Sequence, residues 1–167
     1  MSAEAGPELR WSLRTPFSVA YWVRVDAPSK GGAMVIDCDP GAVGAPAWRL
    51  DLDNQNRPTF ELSLIHVENL QRRSWAAPQP LTIGRWAHVA GVSDGTEMRL
   101  FVDGELVARE PIADAETLPP QRAKISIGGG RLEARHWFVG ALDEVRIYRG
   151  ALTAVEVRAL ARTGPRW

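Results

Sequence analysis

The feature that most constrains this chain is the spacing of its apolar residues. They mostly alternate, in short runs set between turn signals. Such a period of two is the mark of strands, because successive side chains on a strand point to opposite faces. The run Phe17-Ser-Val-Ala-Tyr-Trp-Val-Arg-Val25 puts Phe17, Val19, Tyr21, Val23 and Val25 on one face. Ala20 and Trp22 fall on the other, so that face is not fully wet either. Residues 33–38 read as a second strand, stopped by Asp39-Pro-Gly41. Residues 47–52 and 59–66 form a hairpin around Asp53-Asn-Gln-Asn-Arg-Pro58, a cluster of turn formers. A strand within 81–92 ends at Ser93-Asp-Gly95. Residues 98–102 and 106–109 flank Asp103-Gly104, a strong hairpin signal because both residues tolerate positive φ. Residues 124–127 and 138–148 supply the last strands.

One helix is marked, at the C-terminal end. Thr153-Ala-Val-Glu156 has the form of a capping box, Leu152 and Val157 are placed as a hydrophobic staple, and Gly164-Pro165 is a stop. It is expected to pack over one edge of the sheets. Many short strands and a single helix imply an all-β fold of two packed antiparallel sheets. A closed barrel is the alternative, but runs that are apolar on both faces suit stacked layers better. At 167 residues, with no repeats or linkers, the chain reads as one domain, 1–167, with its core in about 11–161. The expected core includes Trp86, Val89, Leu100, Val102, Ile127, Val145 and Ile147.

Charge narrows the function. Lys+Arg and Asp+Glu number 20 each. A balanced chain lacks the cation surplus that nucleic acid or an anionic membrane demands, so neither is an expected partner. No stretch approaches the ~20 apolar residues of a membrane helix. The N-terminus shows no basic start followed by an apolar run. The expectation is a cytoplasmic protein, or an extracellular domain cut from a longer secreted chain. The one cysteine, Cys38, forbids an internal disulfide and reads as a small strand filler.

Three blocks then resemble a known family. Phe17-Ser-Val-Ala-Tyr-Trp-Val-Arg-Val25 looks like its opening strand. Gly84-Arg-Trp-Ala-His-Val-Ala-Gly-Val-Ser-Asp-Gly95 with Met98-Arg-Leu-Phe-Val-Asp-Gly104 resembles its central signature. Ile125-Ser-Ile-Gly-Gly129 with Phe138-Val-Gly-Ala-Leu-Asp-Glu-Val-Arg-Ile-Tyr-Arg-Gly-Ala-Leu152 resembles its closing one. The family is the laminin-G-like, concanavalin A-like jelly-roll group, with pentraxins and many carbohydrate-binding modules among its relatives. The resemblance implies a two-sheet jelly-roll sandwich and leaves function open, since the fold hosts lectins, adhesion modules and glycosidases.

The resemblance also touches on metal. In many relatives an Asp matching Asp143 helps to hold a structural calcium, together with an acidic loop near the N-terminus. Here the first eleven residues offer only Glu4 and Glu8, too few oxygens for a calcium shell. The resemblance alone keeps calcium as a possible cofactor, with Asp143 its one candidate ligand. The favoured role for Asp143 is to cap loop amides or pair with an Arg.

Candidate ligand-binding residues are the polar and aromatic ones the core does not need. Arg49 and Asp51 share a face opposite Leu50 and Leu52. His66, Arg72, Arg73 and Trp75 cluster where alternation is poor, and His136-Trp137 follows a glycine-rich loop. Aromatic faces with planar polar groups suit a sugar ring. Catalytic motifs are lacking: there is no phosphate loop and no Gly-x-Ser-x-Gly. The glycosidases of this fold carry a Glu-x-Asp-x-x-Glu strand, and it is missing too. His88 reads as a hydrogen-bonded structural histidine. The expected function is a noncatalytic module that binds a glycan or a protein through loops and the concave sheet. The alternative is a free-standing small-molecule pocket protein or an enzyme such as a cyclase.

Overall fold

The computed structural model describes residues 2–4, 15–28, 31–39, 48–66, 69–112, 124–129 and 138–165; side chains are described for these except at 2–4, 39, 63–66 and 69–73. Eleven strands and one helix follow in order: β1 (Ser2–Glu4), β2 (Phe17–Val25), β3 (Ala33–Asp39), β4 (Trp48–Leu52), β5 (Pro58–His66), β6 (Asn69–Ala76), β7 (Trp86–Ser93), β8 (Glu97–Val102), β9 (Glu105–Pro111), β10 (Lys124–Ile127), β11 (Gly140–Arg149) and α1 (Ala154–Thr163). They form a six-stranded sheet in the order β1-β10-β3-β4-β5-β6 and a five-stranded sheet in the order β11-β2-β7-β8-β9. Every pairing is antiparallel. This is the jelly-roll sandwich the sequence implied.

The alternating residues of β2 decide how the layers stack. Phe17, Val19, Tyr21, Val23 and Val25 lie in the main core with Ile36, Leu50, Leu52, Phe60, Leu62, Val89 and Leu100. The Phe17 ring meets Trp48 at 5.7 Å and the edge of Phe60 at 6.2 Å. Cys38 is buried in the same layer, as a filler should be. The opposite face of β2 is also covered. Ala20 joins Ala90, Val92, Phe101 and Val157 in a second apolar cluster beneath α1. The helix therefore sits on the outer face of the five-stranded sheet, not over an edge. Thr153 caps it: its hydroxyl accepts from the Glu156 amide at 3.3 Å, and the Thr153 amide donates to the Glu156 carboxylate at 2.7 Å. The β8–β9 turn lies directly below. Asp103 and Gly104 both have positive φ, at 51° and 82°. A Cβ on Gly104 would come within 3.1 Å of the Arg158 Cα, so the turn is tight enough for the helix only as glycine.

Several expectations change. The strand expected within 81–92 begins at Trp86, and residues 81–85 are a connection and turn. The segment 66–75, read as poorly alternating, spans the end of β5 and most of the edge strand β6. Val89 and Leu100 are buried as expected, while Val102, Ile127, Val145 and Ile147 are half-buried against the core. Trp86 is not a core residue. The inward positions of β7 are Ala87 and Val89, so Trp86 points outward with His88 and Ala90. It is half-buried there, and the Arg24 guanidinium stands 5.5 Å from its ring centre.

Candidate functional site: a polar cleft on the six-stranded sheet

The outward face of the six-stranded sheet is built by register. Asp37 pairs with Arg49 across β3–β4, Arg49 with Glu61 across β4–β5, and Glu61 with Ser74 across β5–β6. These positions alternate with Ile36, Leu50, Phe60 and Trp75, which face the core. One step along the strands, Asp51 stands opposite Thr59. At this end of the sheet a cleft of about 500 Å³ opens between the start of β3 and the β4–β5 turn. Arg49, Asp51, Asp53, Asn54, Thr59 and Ser74 give it a polar lining, with Gly31, Gly32 and Met34 along one side.

Each charged group has a defined partner. The Arg49 Nη2 donates to the Glu61 Oε2 at 2.6 Å, while its Nε lies 3.6 Å from the Asp51 Oδ2. The register of β3 against β4 shifts between Ala33 and Ile36, and within that irregularity the Val35 amide donates to the Asp51 Oδ1 at 2.8 Å. Asp51 thus clamps a strand irregularity and lines the cleft at once. It is 5% exposed. Burial pushes its carboxyl up to about 7, against the opposing pull of the Val35 amide and Arg49, and nearby Asp37 adds to the rise. Asp53 differs. Burial would raise it, but the Arg57 and Gln55 amides and the Arg57 guanidinium, 2.7 Å away, hold it below the usual carboxylate range.

The expected site residues separate. Arg49 and Asp51 come together at the cleft. Trp75 packs against the core cluster, so it is no exposed platform. His66 ends β5, and Arg72 and Arg73 lie in β6, with side chains outside the described set. His136 and Trp137 lie outside the described residues altogether. Sequence reasoning missed Met34, Asp53, Asn54, Thr59 and Ser74. Asp53 and Asn54 sat in a recognised turn, but only sheet register brings Thr59 and Ser74 beside them.

On the other sheet, Asp143 accepts from the neighbouring Glu144 amide at 2.8 Å, beside a register shift between Asp143 and Arg146. No three His, Cys, Asp or Glu side chains among the described residues are grouped to hold a metal ion. His88 is 2% exposed, and its Nδ1 has no hydrogen-bond partner among the described residues. Burial, with the Arg146 charge added, lowers it to about 4. Its ring stands edge-on to Trp22 at 5.5 Å. No helix among the described residues is long and apolar enough to cross a membrane.

Comparison with solved structures finds the same architecture elsewhere. The binding domain of Paraclostridial mosquitocidal protein 1 matches with a TM-score of 0.74 at 14% identity, covering 97% of this chain and 40% of that one. A proposed carbohydrate-binding protein from Bacteroides ovatus matches at 0.69 and 17%, covering 94% and 43%. The heptameric SAP-like pentraxin from Limulus polyphemus matches at 0.64 and 16%, covering 88% and 70%. This chain therefore spans less than half of the first two, and at such identities the likeness is one of fold. No curated protein matches the sequence. The profile of the concanavalin A-like lectin/glucanases superfamily matches residues 3–158. With that match over nearly its whole length, the chain belongs to the concanavalin A-like lectin/glucanases superfamily.

Proposed function

We propose that the protein is a noncatalytic recognition module that binds a glycan in the cleft on the outer face of its six-stranded sheet. The observation that carries this reading is the convergence of Arg49, Asp51, Asn54, Thr59 and Ser74 around one solvent-open space of about 500 Å³. Planar charged and amide groups form directed hydrogen bonds to vicinal hydroxyls, and a rigid sheet keeps them in place before the ligand arrives. The toxin binding domain and the Bacteroides protein, both of this fold, support a binding role. Ser74 offers a direct test, because it is exposed and lines the cleft. Ser74→Trp should fill the space and leave the melting temperature unchanged. The protein should be retained on members of an immobilised glycan panel, and the variant should lose that retention. Absence of retention on the whole panel, or equal retention of the variant, would overturn the reading.

A further inference from the structure

The charges around the cleft are unevenly served. Arg49 is engaged by Glu61 at 2.6 Å, and Arg57 by Asp53 at 2.7 Å. Asp51 takes the backbone amides of Val35 and Ile36, but its only guanidinium contact among the described residues is 3.6 Å, beyond hydrogen-bond range. A second feature points the same way. Glu61 is 3% exposed, and its Oε1 has no hydrogen-bond partner. The two carboxylates flank a single arginine, and Asp51 is the one of them that lines the cleft. A cation entering there would face a carboxylate whose protein counter-charge is already spent on Glu61. An anionic ligand would meet the opposite condition, since Arg49 would have to leave Glu61 to receive it.

On the reading of the cleft as a glycan site, we propose that its ligand carries a protonated amine and that Asp51 receives it. An ammonium group offers three donors and a full charge, and a charge-assisted bond to a carboxylate is about twice as strong as a neutral one. The N-acetylated form of the same sugar loses the charge and adds bulk at that position. The pH dependence has a defined sign. The groups acting on Asp51 are Arg49 on its own strand, Asp37 on β3 and the Tyr21 hydroxyl on β2, with Glu61 of β5 on the other side of Arg49 and Asp53 in the turn that lines the cleft. With the Asp51 carboxyl near 7, an arriving ammonium must displace its proton at lower pH. The preference for the amine therefore shrinks as the solution is acidified below 7, by up to about tenfold per unit.

The test is calorimetric titration of glucosamine oligomers and of their N-acetylated counterparts, beside a panel of neutral glycans. At neutral pH the amine form should bind at least about tenfold more tightly. That preference should fall to near parity in Asp51→Asn, whose amide oxygen can still accept from Val35, and should narrow in the unaltered protein toward about pH 5. Should the variant fail to fold, the pH series on the unaltered protein decides. Equal affinity for the two forms, or binding of neutral glycans alone, overturns the amine and leaves the glycan reading standing. Binding of no glycan of any kind overturns both.

Discussion

On the five-stranded sheet the outward face is roofed. Val157 of α1 presses on Ala20, Ala90, Val92 and Phe101, with Leu152 and Leu160 at the margin. On the six-stranded sheet the outward face carries Asp37, Arg49, Asp51 and Glu61, and beside them a cleft opens to solvent. Both faces bury side chains, but they bury different chemistry. Beneath the helix burial is apolar and contributes through area and contacts. Beside the cleft burial works on charge, which disfavours ionisation and costs stability unless partners are supplied. The first face holds the fold together. The second keeps groups in a state that folding alone would not select, as ligand sites commonly do.

The largest effect should separate the two faces directly. Phe101 is 1% exposed, so Phe101→Ala should cost roughly 3–5 kcal/mol through lost contacts and a cavity under α1. Ser74→Ala, on the exposed side of the other sheet, should stay within about 0.5 kcal/mol. Denaturant unfolding of both variants checks this, and equal losses would mean that the helix is not a structural roof.

A smaller but more specific effect lies in pH. The Asp51 carboxyl is raised in the fold, so its contribution is present below about 4 and is lost as pH rises to about 7. His88 is lowered, so its contribution is present above about 6.5 and is lost as pH falls to about 4. The two oppose each other across the same window. Each is worth on the order of 2–4 kcal/mol at full expression, since one pKa unit is about 1.4 kcal/mol. Asp51→Asn should unmask the histidine, and stability should then fall on acidification. His88→Gln should unmask the aspartate, and stability should rise instead. Melting curves across this range read the two slopes, and parallel profiles for both variants would deny that the faces titrate independently.

Sheet architecture was legible in the sequence because alternation and turn chemistry agree. The hairpin at Asp53 to Pro58, the positive-φ turn at Asp103-Gly104 and the capping box at Thr153 are local signals, and the structure keeps all three. β6 was not legible. An edge strand is defined by its pairing with β5, and Gln71-Arg72-Arg73-Ser74 offers no period of two. The cleft was half legible. Arg49 and Asp51 stood out as polar residues opposite Leu50 and Leu52, but Thr59 and Ser74 reach it only through sheet register. Trp75 was mistaken for a ligand platform because a tryptophan beside arginines looks like one. Its partner across the sheet is Phe60, and it packs on the core.

Trp86 gives the smallest and most discriminating expectation. As a core residue in a two-sheet sandwich it would cost roughly 3–5 kcal/mol on truncation to alanine. The structure puts it on the outward face of β7, half-buried, beyond the residues that α1 covers. Among the described residues no facing sheet packs over it, so truncation should leave no enclosed cavity and the loss should be confined to part of the ring's contact area. Trp86→Ala should therefore cost about 1 kcal/mol, in the ordinary range for a substitution outside the core. Its indole emission should already be partly open to a soluble quencher in the native protein, and the variant should lose that accessible fraction. A cost near that of Phe101→Ala would show that the outer face at Trp86 is covered as tightly as the half beneath the helix, and the contrast between the two outer faces would fail at that point.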